Sequence, residues 1–280
     1  MALPNLITRI LTGAVFVAIL LGSILFNQYT FLIVFALIQS LALWEFYGLI
    51  NSAKQTNIPE KLNALGGLLL FLAAFAYYSG LYTSSVVFIP YLIYIQFLFV
   101  FTLYNKRSSA VRSLAYSLMG QAYIALPFSL ANYLVFTNNA GGYHSIFLLA
   151  LLVMLWVNDS FAYLTGSQFG KHRLFERISP KKSWEGSVGG AAFTLLTALI
   201  FSHFYNEFHV AGWLGFGLIV IVFGTWGDLI ESLLKRTVGV KDSGNILPGH
   251  GGILDRFDSL IFSIPALFVY LKIVQFIATL

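Results

Sequence analysis

Residues 232–258, SLLKRTVGVKDSGNILPGHGGILDRFD, place a dense group of charged side chains in an otherwise apolar chain. Long stretches of Leu, Ile, Val and Phe lie on both sides of this segment. A charged side chain is costly at membrane depth, so such a group near a membrane boundary indicates a functional site. The segment therefore predicts a polar reaction site between the ends of two membrane-spanning helices.

The composition of the whole chain is that of a membrane protein. Of its 280 residues, 58% are hydrophobic and 10% are charged, whereas soluble domains carry about 25% charged residues. A helix that crosses the bilayer core needs about 20 apolar residues. The stretches that meet this condition lie near residues 10–27, 29–50, 63–80, 84–103, 113–137, 145–167, 187–206, 212–234 and 257–279. We expect an all-α, polytopic integral membrane protein with about nine transmembrane helices.

The chain shows no internal repeat and no linker, so residues 1–280 are expected to form a single transmembrane catalytic domain. Its N-terminal helices would occupy residues 1–140, and the helices and loops of residues 141–280 would carry the active site. The first apolar stretch resembles a signal peptide in its flanking charge, but it is long and lacks a convincing cleavage site, which favours an uncleaved helix. The absence of cysteine excludes a thiolate nucleophile and a thiolate metal site.

The basic residues predict the orientation of the helices. Of the 16 Lys and Arg residues, all but Lys272 lie in the N-terminal segment or in alternate loops. By the positive-inside rule, the N-terminus and these basic loops face the cytoplasm. Nine spans then place the C-terminus outside. Short loops and the lack of a targeting segment favour a bacterial plasma membrane.

Carboxylates near the ends of the last two predicted helices suggest a metal site. Asp228 and Lys235 lie at i and i+7, with Glu231 and Ser232 between them, so all four share one helical face. On the last helix, Asp255 and residue 258 lie at i and i+3. The glycine-rich loop 244–252 joins the two helices and must turn tightly. Oxygen ligands without cysteine suit a hard cation such as Mg²⁺, completed by substrate phosphates.

Ordinary ion pairs in a cytoplasmic loop are the alternative explanation of these charges. We favour metal binding for Asp228 and Asp255, which stand at helix ends among several cations. For Glu231, Asp242 and Asp258, ion pairing or support of a neighbouring ligand is as good an interpretation as direct ligation. The lysines and arginines nearby would hold phosphate oxygens.

A second polar group covers residues 158–190. Asp159 follows a long apolar stretch, and the pair Lys181 and Lys182 precedes Ser183, which is a candidate N-cap of the next helix. A helix N-terminus beside two lysines makes an anion site. The alternative is that these lysines only mark the cytoplasmic side; we favour phosphate binding for this pair.

Two further residues permit more than one interpretation. Glu45, after Trp44 in the second predicted span, could face a polar cavity, pair with a basic group or lie at the membrane interface. His250, in the glycine-rich loop, is a candidate substrate-binding residue, but it could also satisfy backbone groups of the turn.

Two motifs connect these residues to a known family. The pattern S-x-x-K-R-x4-K-D-x-G-x2-L-P-x-H-G-G-x2-D-R-x-D, over residues 232–258, resembles the signature of phosphatidate cytidylyltransferases, also called CDP-diacylglycerol synthases. The segment NDSFAYLTGSQFGKH…SPKKSWEGSVGG, over residues 158–190, resembles the other polar stretch of that family. Ser183 stands where threonine is more often expected, and this change keeps the hydroxyl. The resemblance covers about the last 125 residues in detail.

The resemblance implies transfer of the cytidylyl group of CTP to phosphatidate, with Mg²⁺ required and a second cation such as K⁺ in some members. It implies an all-helical fold with a cytoplasm-facing polar cavity in the lipid bilayer, and a homodimer; no nucleic-acid partner is expected. The paired metal-binding aspartates of the family map onto Asp228 and Asp255. The residues expected to act with them are Lys235 and Lys241 in catalysis, and Lys181, Lys182, Ser179, Arg236, Arg256, His250 and Asp159 in substrate binding.

Three other classes of protein fit the pattern less well. A secondary transporter would use intramembrane carboxylates such as Asp159 and Asp228 as ion sites, but the charges cluster at one side and no repeat is visible. A CDP-alcohol phosphotransferase would carry the pattern D-x2-D-G-x2-A-R…G-x3-D-x3-D, which is missing. A CTP-dependent lipid kinase would transfer the γ-phosphoryl group instead, and the identity of the product separates it from a cytidylyltransferase.

Overall fold

The computed structural model describes residues 3–54, 56–104, 109–137, 142–247, 249 and 251–278. Within these residues the chain is almost entirely helical. The α-helices are α1 (Leu3–Phe26), α2 (Gln28–Lys54), α3 (Glu60–Tyr78), α4 (Ile89–Tyr104), α5 (Ala110–Gly120), α6 (Leu126–Phe136), α7 (Ile146–Phe169), α8 (Trp184–Phe204), α9 (Val210–Thr237) and α10 (Leu254–Ala278).

Eight helical segments in the described part of the chain are long and apolar enough to cross a membrane, and a shorter apolar segment, Leu11–Phe26, belongs to α1. A helix satisfies its own backbone hydrogen bonds, which is the requirement for a chain in lipid. The prediction of an all-α, polytopic membrane protein is therefore confirmed.

Two local features differ from the sequence prediction. The fifth predicted span is α5 and α6 joined by a π-helical turn, Gln121–Ala125. Pro127 follows this turn and has no N–H to donate to the preceding turn, which explains the local widening of the helix. A small antiparallel hairpin, β1 (Arg173–Phe175) and β2 (Ser179–Ser183), precedes α8. This hairpin was not predicted because its strands are short and highly charged.

The chain forms two compact units. The first consists of Met1–Ser145 and Thr237–Phe257, and the second of Ile146–Arg236 and Asp258–Leu280. The first turn of α10 therefore belongs to the first unit, and its remaining turns belong to the second.

A buried polar network connects the helices of the first unit. Asn63 of α3 is fully buried; it accepts a hydrogen bond from the Tyr94 hydroxyl (2.6 Å) and donates one to Ser117 Oγ (3.2 Å). The Tyr47 hydroxyl donates to the Ser117 carbonyl (2.8 Å), and the Gln121 amide donates to the Tyr47 hydroxyl (3.1 Å). Polar side chains of this kind hold membrane helices together when their partners are satisfied.

Replacing Asn63 with leucine should lower the free energy of unfolding by about 1–3 kcal/mol, because it leaves the buried partners of Asn63 without hydrogen bonds. Thermal unfolding of the purified protein in detergent measures this change. The control is Ser52→Ala, which removes a hydroxyl that is exposed and bonds only to its own helix at Gly48. Equal stability of the two variants would contradict a supporting role for the network.

In the second unit, α7 and α8 pack through small residues. A Cβ atom at Gly186 would lie 2.7 Å from the Ala162 carbonyl oxygen, and one at Gly190 would lie 2.6 Å from the Asn158 carbonyl oxygen. The rings of Phe161 and Phe193 stack with centroids 3.6 Å apart. Close backbone approach at small residues is the usual packing mode of membrane helices, and it fixes Asp159 of α7 relative to the start of α8.

Candidate active site

The polar face of α9 has the arrangement that the sequence predicts. Ser232 Oγ donates to Asp228 Oδ1 (3.2 Å), one turn apart. Glu231 is fully buried and forms an ion pair with Lys235 (2.6 Å), whose side chain is 12% exposed. Lys235, predicted as a catalytic residue, is therefore held by a carboxylate of its own helix. With 28 residues, α9 is about 42 Å long, which exceeds the bilayer core of about 30 Å, so its basic last turn can extend beyond that core.

Helix α9 approaches α10 closely beside Asp228. A Cβ atom at Gly227 would lie 2.6 Å from the Asp258 carbonyl oxygen and 3.0 Å from Ser259 Cα. The neighbour of Gly227 is therefore the backbone of α10. This contact places the Asp258 carboxylate in the vicinity of Asp228. Asp258 Oδ1 accepts a hydrogen bond from the Ser259 backbone N–H (2.6 Å).

Lys182, the penultimate residue of β2, forms an ion pair with Asp228. Both side chains are about one-third exposed. The next residue, Ser183, caps α8 as predicted, because its Oγ accepts a hydrogen bond from the Gly186 N–H (3.1 Å). Glu185 in the first turn of α8 accepts hydrogen bonds from the backbone N–H groups of Lys171 (3.1 Å) and His172 (3.2 Å). The hairpin that carries Lys182 is thus anchored to α8 at its base.

An acidic cluster forms in the second unit around Lys182. The Asp258 carboxylate interacts electrostatically with the carboxylates of Asp228 and Asp159 and with the ammonium of Lys182. The ammonium of Lys182 offsets part of the charge that these carboxylates carry. The structure thus brings together three residues predicted for the site, Asp159, Lys182 and Asp228, and adds Asp258.

In the first unit, the Asp255 carboxylate is fixed by the glycine-rich loop. Its Oδ2 accepts hydrogen bonds from the backbone N–H groups of Ser243 (2.9 Å) and Gly252 (2.8 Å). Gly249 and Gly251 have positive φ angles of 75° and 86°, so the tight turn predicted for this loop is confirmed. Hydrogen bonds that orient a carboxylate are typical of metal-binding sites.

Replacing Gly251 with alanine should reduce turnover about 10- to 100-fold and raise the Mg²⁺ concentration needed for it, because a Cβ there would lie 2.7 Å from Asp255 Oδ2. The matched control is Gly239→Ala: its φ is 80°, but no atom lies within 4 Å of the position that a Cβ would take there. Both variants carry the same backbone strain, so initial rates against Mg²⁺ concentration isolate the contact with Asp255. Equal losses of turnover in both variants would show that the contact with Asp255 is not the cause.

The remaining predicted residues lie at the surface of their units. The exposed ones are Lys181, Arg236, Lys241 and Arg256, while Ser179 on β2 is half-buried. His250, and Pro248 of the same motif, lie outside the described residues. The roles of these basic side chains in substrate binding stay predictions.

Comparison with known proteins places the chain in a family. The profile of the cytidylyltransferase family matches residues 7–274, which is nearly the whole chain. The chain belongs to the cytidylyltransferase family. The resemblance deduced from the two motifs is thereby confirmed.

Curated members of the cytidylyltransferase family align with the chain over nearly its full length. A phosphatidate cytidylyltransferase of Staphylococcus saprophyticus is 37% identical over 270 residues, which cover 95% of this chain and 97% of the relative. One of Staphylococcus aureus (strain COL) is 37% identical over 266 residues, covering 94% and 98%. One of Staphylococcus haemolyticus is 33% identical over 267 residues, covering 94% and 98%.

The carboxylate oxygens of Asp228 and Asp255 are ligands that suit a hard cation such as Mg²⁺, and the sequence contains no cysteine. Mg²⁺ prefers one or two carboxylates together with water and substrate phosphates. Within the described residues, no three or more His, Asp or Glu side chains lie together in a way that could hold a metal ion.

The roles of two site residues could not be assigned from the sequence alone. Asp258 was a candidate for ion pairing, support or ligation, and the structure places it in the acidic cluster. Glu45 of α2 contacts the glycine-rich loop, where its Oε2 accepts hydrogen bonds from Ser243 Oγ (3.1 Å) and the Leu254 N–H (2.9 Å). Glycines stand at positions 227, 244 and 252, where another part of the chain lies against the backbone. A glycine permits such a contact, but it does not identify the neighbour.

Proposed function

We propose that the protein transfers the cytidylyl group of CTP to phosphatidate, forming CDP-diacylglycerol and pyrophosphate in phospholipid biosynthesis. The observation that carries this proposal is the uninterrupted signature over residues 232–258 in a chain that belongs to the cytidylyltransferase family along nearly its full length. The relatives named phosphatidate cytidylyltransferase support the same substrate pair.

The reaction requires little proton transfer from the protein. An oxygen of the phosphatidate phosphate attacks the α-phosphorus of CTP, the bond from that phosphorus to the bridging oxygen breaks, and pyrophosphate leaves with the electron pair. A phosphate monoester is largely ionised at pH 7, so its oxygen is already a nucleophile. Catalysis therefore consists of positioning two anions and stabilising their charge.

We propose Asp228 and Asp255 as the ligands of Mg²⁺, which when bound would neutralise phosphate charge. Asp228 is oriented by Ser232 and Lys182, and Asp255 by two backbone N–H groups. Asp258 interacts electrostatically with both Asp228 and Asp159, and Asp159 would shape the nucleotide or lipid-headgroup side.

The basic side chains of both motifs would bind the phosphates. In our proposal Lys182 exchanges its Asp228 partner for a phosphate oxygen when the substrates bind, because a doubly charged phosphate attracts an ammonium more strongly than one carboxylate does. The other groups proposed to grip the anions are Lys181, Lys235, Arg236, Lys241 and Arg256, with Ser179 at the nucleotide or headgroup side and His250 in the loop.

The protein is an integral membrane protein, and we propose that it resides in a bacterial plasma membrane with its N-terminus and active site facing the cytoplasm. The relatives are bacterial, and CTP is a cytoplasmic substrate that cannot cross lipid. The basic loops support this orientation. A homodimer and a second cation such as K⁺ remain predictions from the family resemblance.

Product analysis tests the proposed function. The purified protein in detergent receives phosphatidate, Mg²⁺ and CTP labelled at the α-phosphate, with and without EDTA. We expect the label in a lipid that migrates as CDP-diacylglycerol, unlabelled pyrophosphate, and loss of both on chelation. Label in free CDP together with a newly phosphorylated lipid would identify a kinase. A folded sample that turns over no lipid acceptor would contradict the proposal and favour a transporter.

A further inference from the structure

Glu45 connects helix α2 to the glycine-rich loop, from which it is separated by about 200 residues of sequence. Its Oε2 accepts hydrogen bonds from Ser243 Oγ (3.1 Å) and from the Leu254 N–H (2.9 Å) at the start of α10. Its Oε1 is buried as well. A carboxylate within a membrane-spanning helix is costly, so its place at this loop calls for a function.

The loop is shaped around the Glu45 carboxylate. A Cβ atom at Gly244 would overlap Glu45 Oε1, and a Cβ atom at Gly252 would overlap both carboxylate oxygens. The loop backbone therefore approaches Glu45 at two separate positions, and neither position can carry a larger residue without moving it. Two glycines of the signature motif are thus explained by one side chain outside that motif.

Two residues that contact Glu45, one just before the loop and one at its end, also hold Asp255. Ser243 donates to Glu45 through its hydroxyl and to Asp255 Oδ2 through its backbone N–H (2.9 Å). Gly252 lies against Glu45 and donates its own N–H to Asp255 Oδ2 (2.8 Å). One residue, Ser243, therefore connects the two carboxylates directly, and Gly252 connects them a second time through packing.

We propose that Glu45 is a positioning residue for cytidylyl transfer: it fixes the loop backbone whose N–H groups orient the Asp255 carboxylate. This inference rests on the proposed role of Asp255 as a metal ligand. Residues that orient a metal ligand through hydrogen bonds typically change metal affinity or activity about 10- to 100-fold when removed. Glu45 itself is proposed to touch neither the reacting phosphates nor the metal.

The test compares Glu45→Met with Glu45→Gln. Methionine fills the volume but accepts no strong hydrogen bond, whereas glutamine keeps an oxygen that can accept from Ser243 and Leu254. We expect Glu45→Met to raise the Mg²⁺ concentration for half-maximal rate about 10- to 100-fold, and Glu45→Gln to restore most of the wild-type value. A role in packing alone would make the two variants equally active. Initial rates against Mg²⁺ concentration, with thermal unfolding measured in parallel, give both readouts.

The matched control is Glu60→Met. Glu60 also accepts hydrogen bonds from α2, through Trp44 Nε1 (2.8 Å) and Asn51 Nδ2 (3.0 Å), but these bonds do not involve the glycine-rich loop. We expect this variant to keep the wild-type Mg²⁺ requirement. Should Glu45→Met fail to fold, Ser243→Ala decides: a raised Mg²⁺ requirement supports the proposal, and a wild-type requirement overturns it.

Asp255→Asn, measured alongside, separates this inference from the proposed function. If Asp255→Asn is inactive while Glu45→Met folds with a wild-type Mg²⁺ requirement, the positioning role is wrong and the metal assignment stands. If Asp255→Asn keeps wild-type activity, the metal assignment fails, and the proposed route from Glu45 to catalysis fails with it.

Discussion

Replacing Asp255 with asparagine is expected to reduce cytidylyl transfer on the order of a thousandfold while the protein still inserts and folds. Charge stabilisation by a bound metal is worth several kcal/mol of barrier height, and each 1.4 kcal/mol is about tenfold in rate. The asparagine oxygen can still accept the hydrogen bonds from Ser243 and Gly252. The substitution therefore removes the negative charge but keeps the loop conformation. Steady-state rates in detergent measure the effect of the lost charge.

Asp228→Asn should give a loss of similar size, because the same ion is proposed to need both carboxylates. The double variant should then be little worse than either single variant, since residues that act as one unit are not additive. Glu176→Gln is the matched control: it makes the same chemical change at an exposed position in the hairpin turn. Wild-type activity of Asp255→Asn in folded protein would falsify the metal assignment.

Replacing Lys182 with methionine is expected to lower the turnover number about 100- to 1,000-fold, the cost typical of removing one group that stabilises developing charge. Methionine keeps much of the side-chain length but has no ammonium to hold phosphate oxygens. The variant also leaves Asp228 without its cation beside Asp159 and Asp258, so we expect reduced thermal stability in the absence of Mg²⁺.

A second substitution separates these two effects of Lys182. Combining Lys182→Met with Asp228→Asn removes both charges of the pair, so the stability should recover while the turnover stays low. Lys171→Met is the control, since Lys171 is an exposed lysine of the same hairpin region. A double variant that stays as unstable as Lys182→Met would mean that Lys182 does not stabilise the protein by neutralising Asp228.

The fold class and the local features of the site follow from the sequence because they depend on neighbouring residues. Apolar runs of about 20 residues define the spans, and a spacing of four residues explains the pairs that Asp228 and Glu231 make with Ser232 and Lys235. Ser183 is a cap because it directly precedes a helix and its hydroxyl reaches the N–H three residues on.

Contacts between distant parts of the chain could not be predicted in the same way. Glu45 and Ser243 are separated by 198 residues, and nothing in the local sequence around Glu45 indicates its partner. The approach of α9 to α10 at Gly227 decides that Asp258 lies near Asp228, whereas the helical spacing alone pairs Asp258 with Asp255. The hairpin that carries Lys182 was not predicted, because its charged strands lack the alternation of apolar and polar residues that marks a half-buried strand.

Direct binding of a divalent cation tests whether Asp228 and Asp255 hold the metal proposed for cytidylyl transfer. Mn²⁺ takes the same oxygen ligands as Mg²⁺, and its free concentration can be followed by electron paramagnetic resonance while it is titrated into the purified protein with CTP present. We predict saturable binding by the wild-type protein and by Glu176→Gln, and strongly weakened binding by Asp228→Asn and by Asp255→Asn. Binding by both aspartate variants with wild-type affinity would mean that Asp228 and Asp255 do not hold the metal.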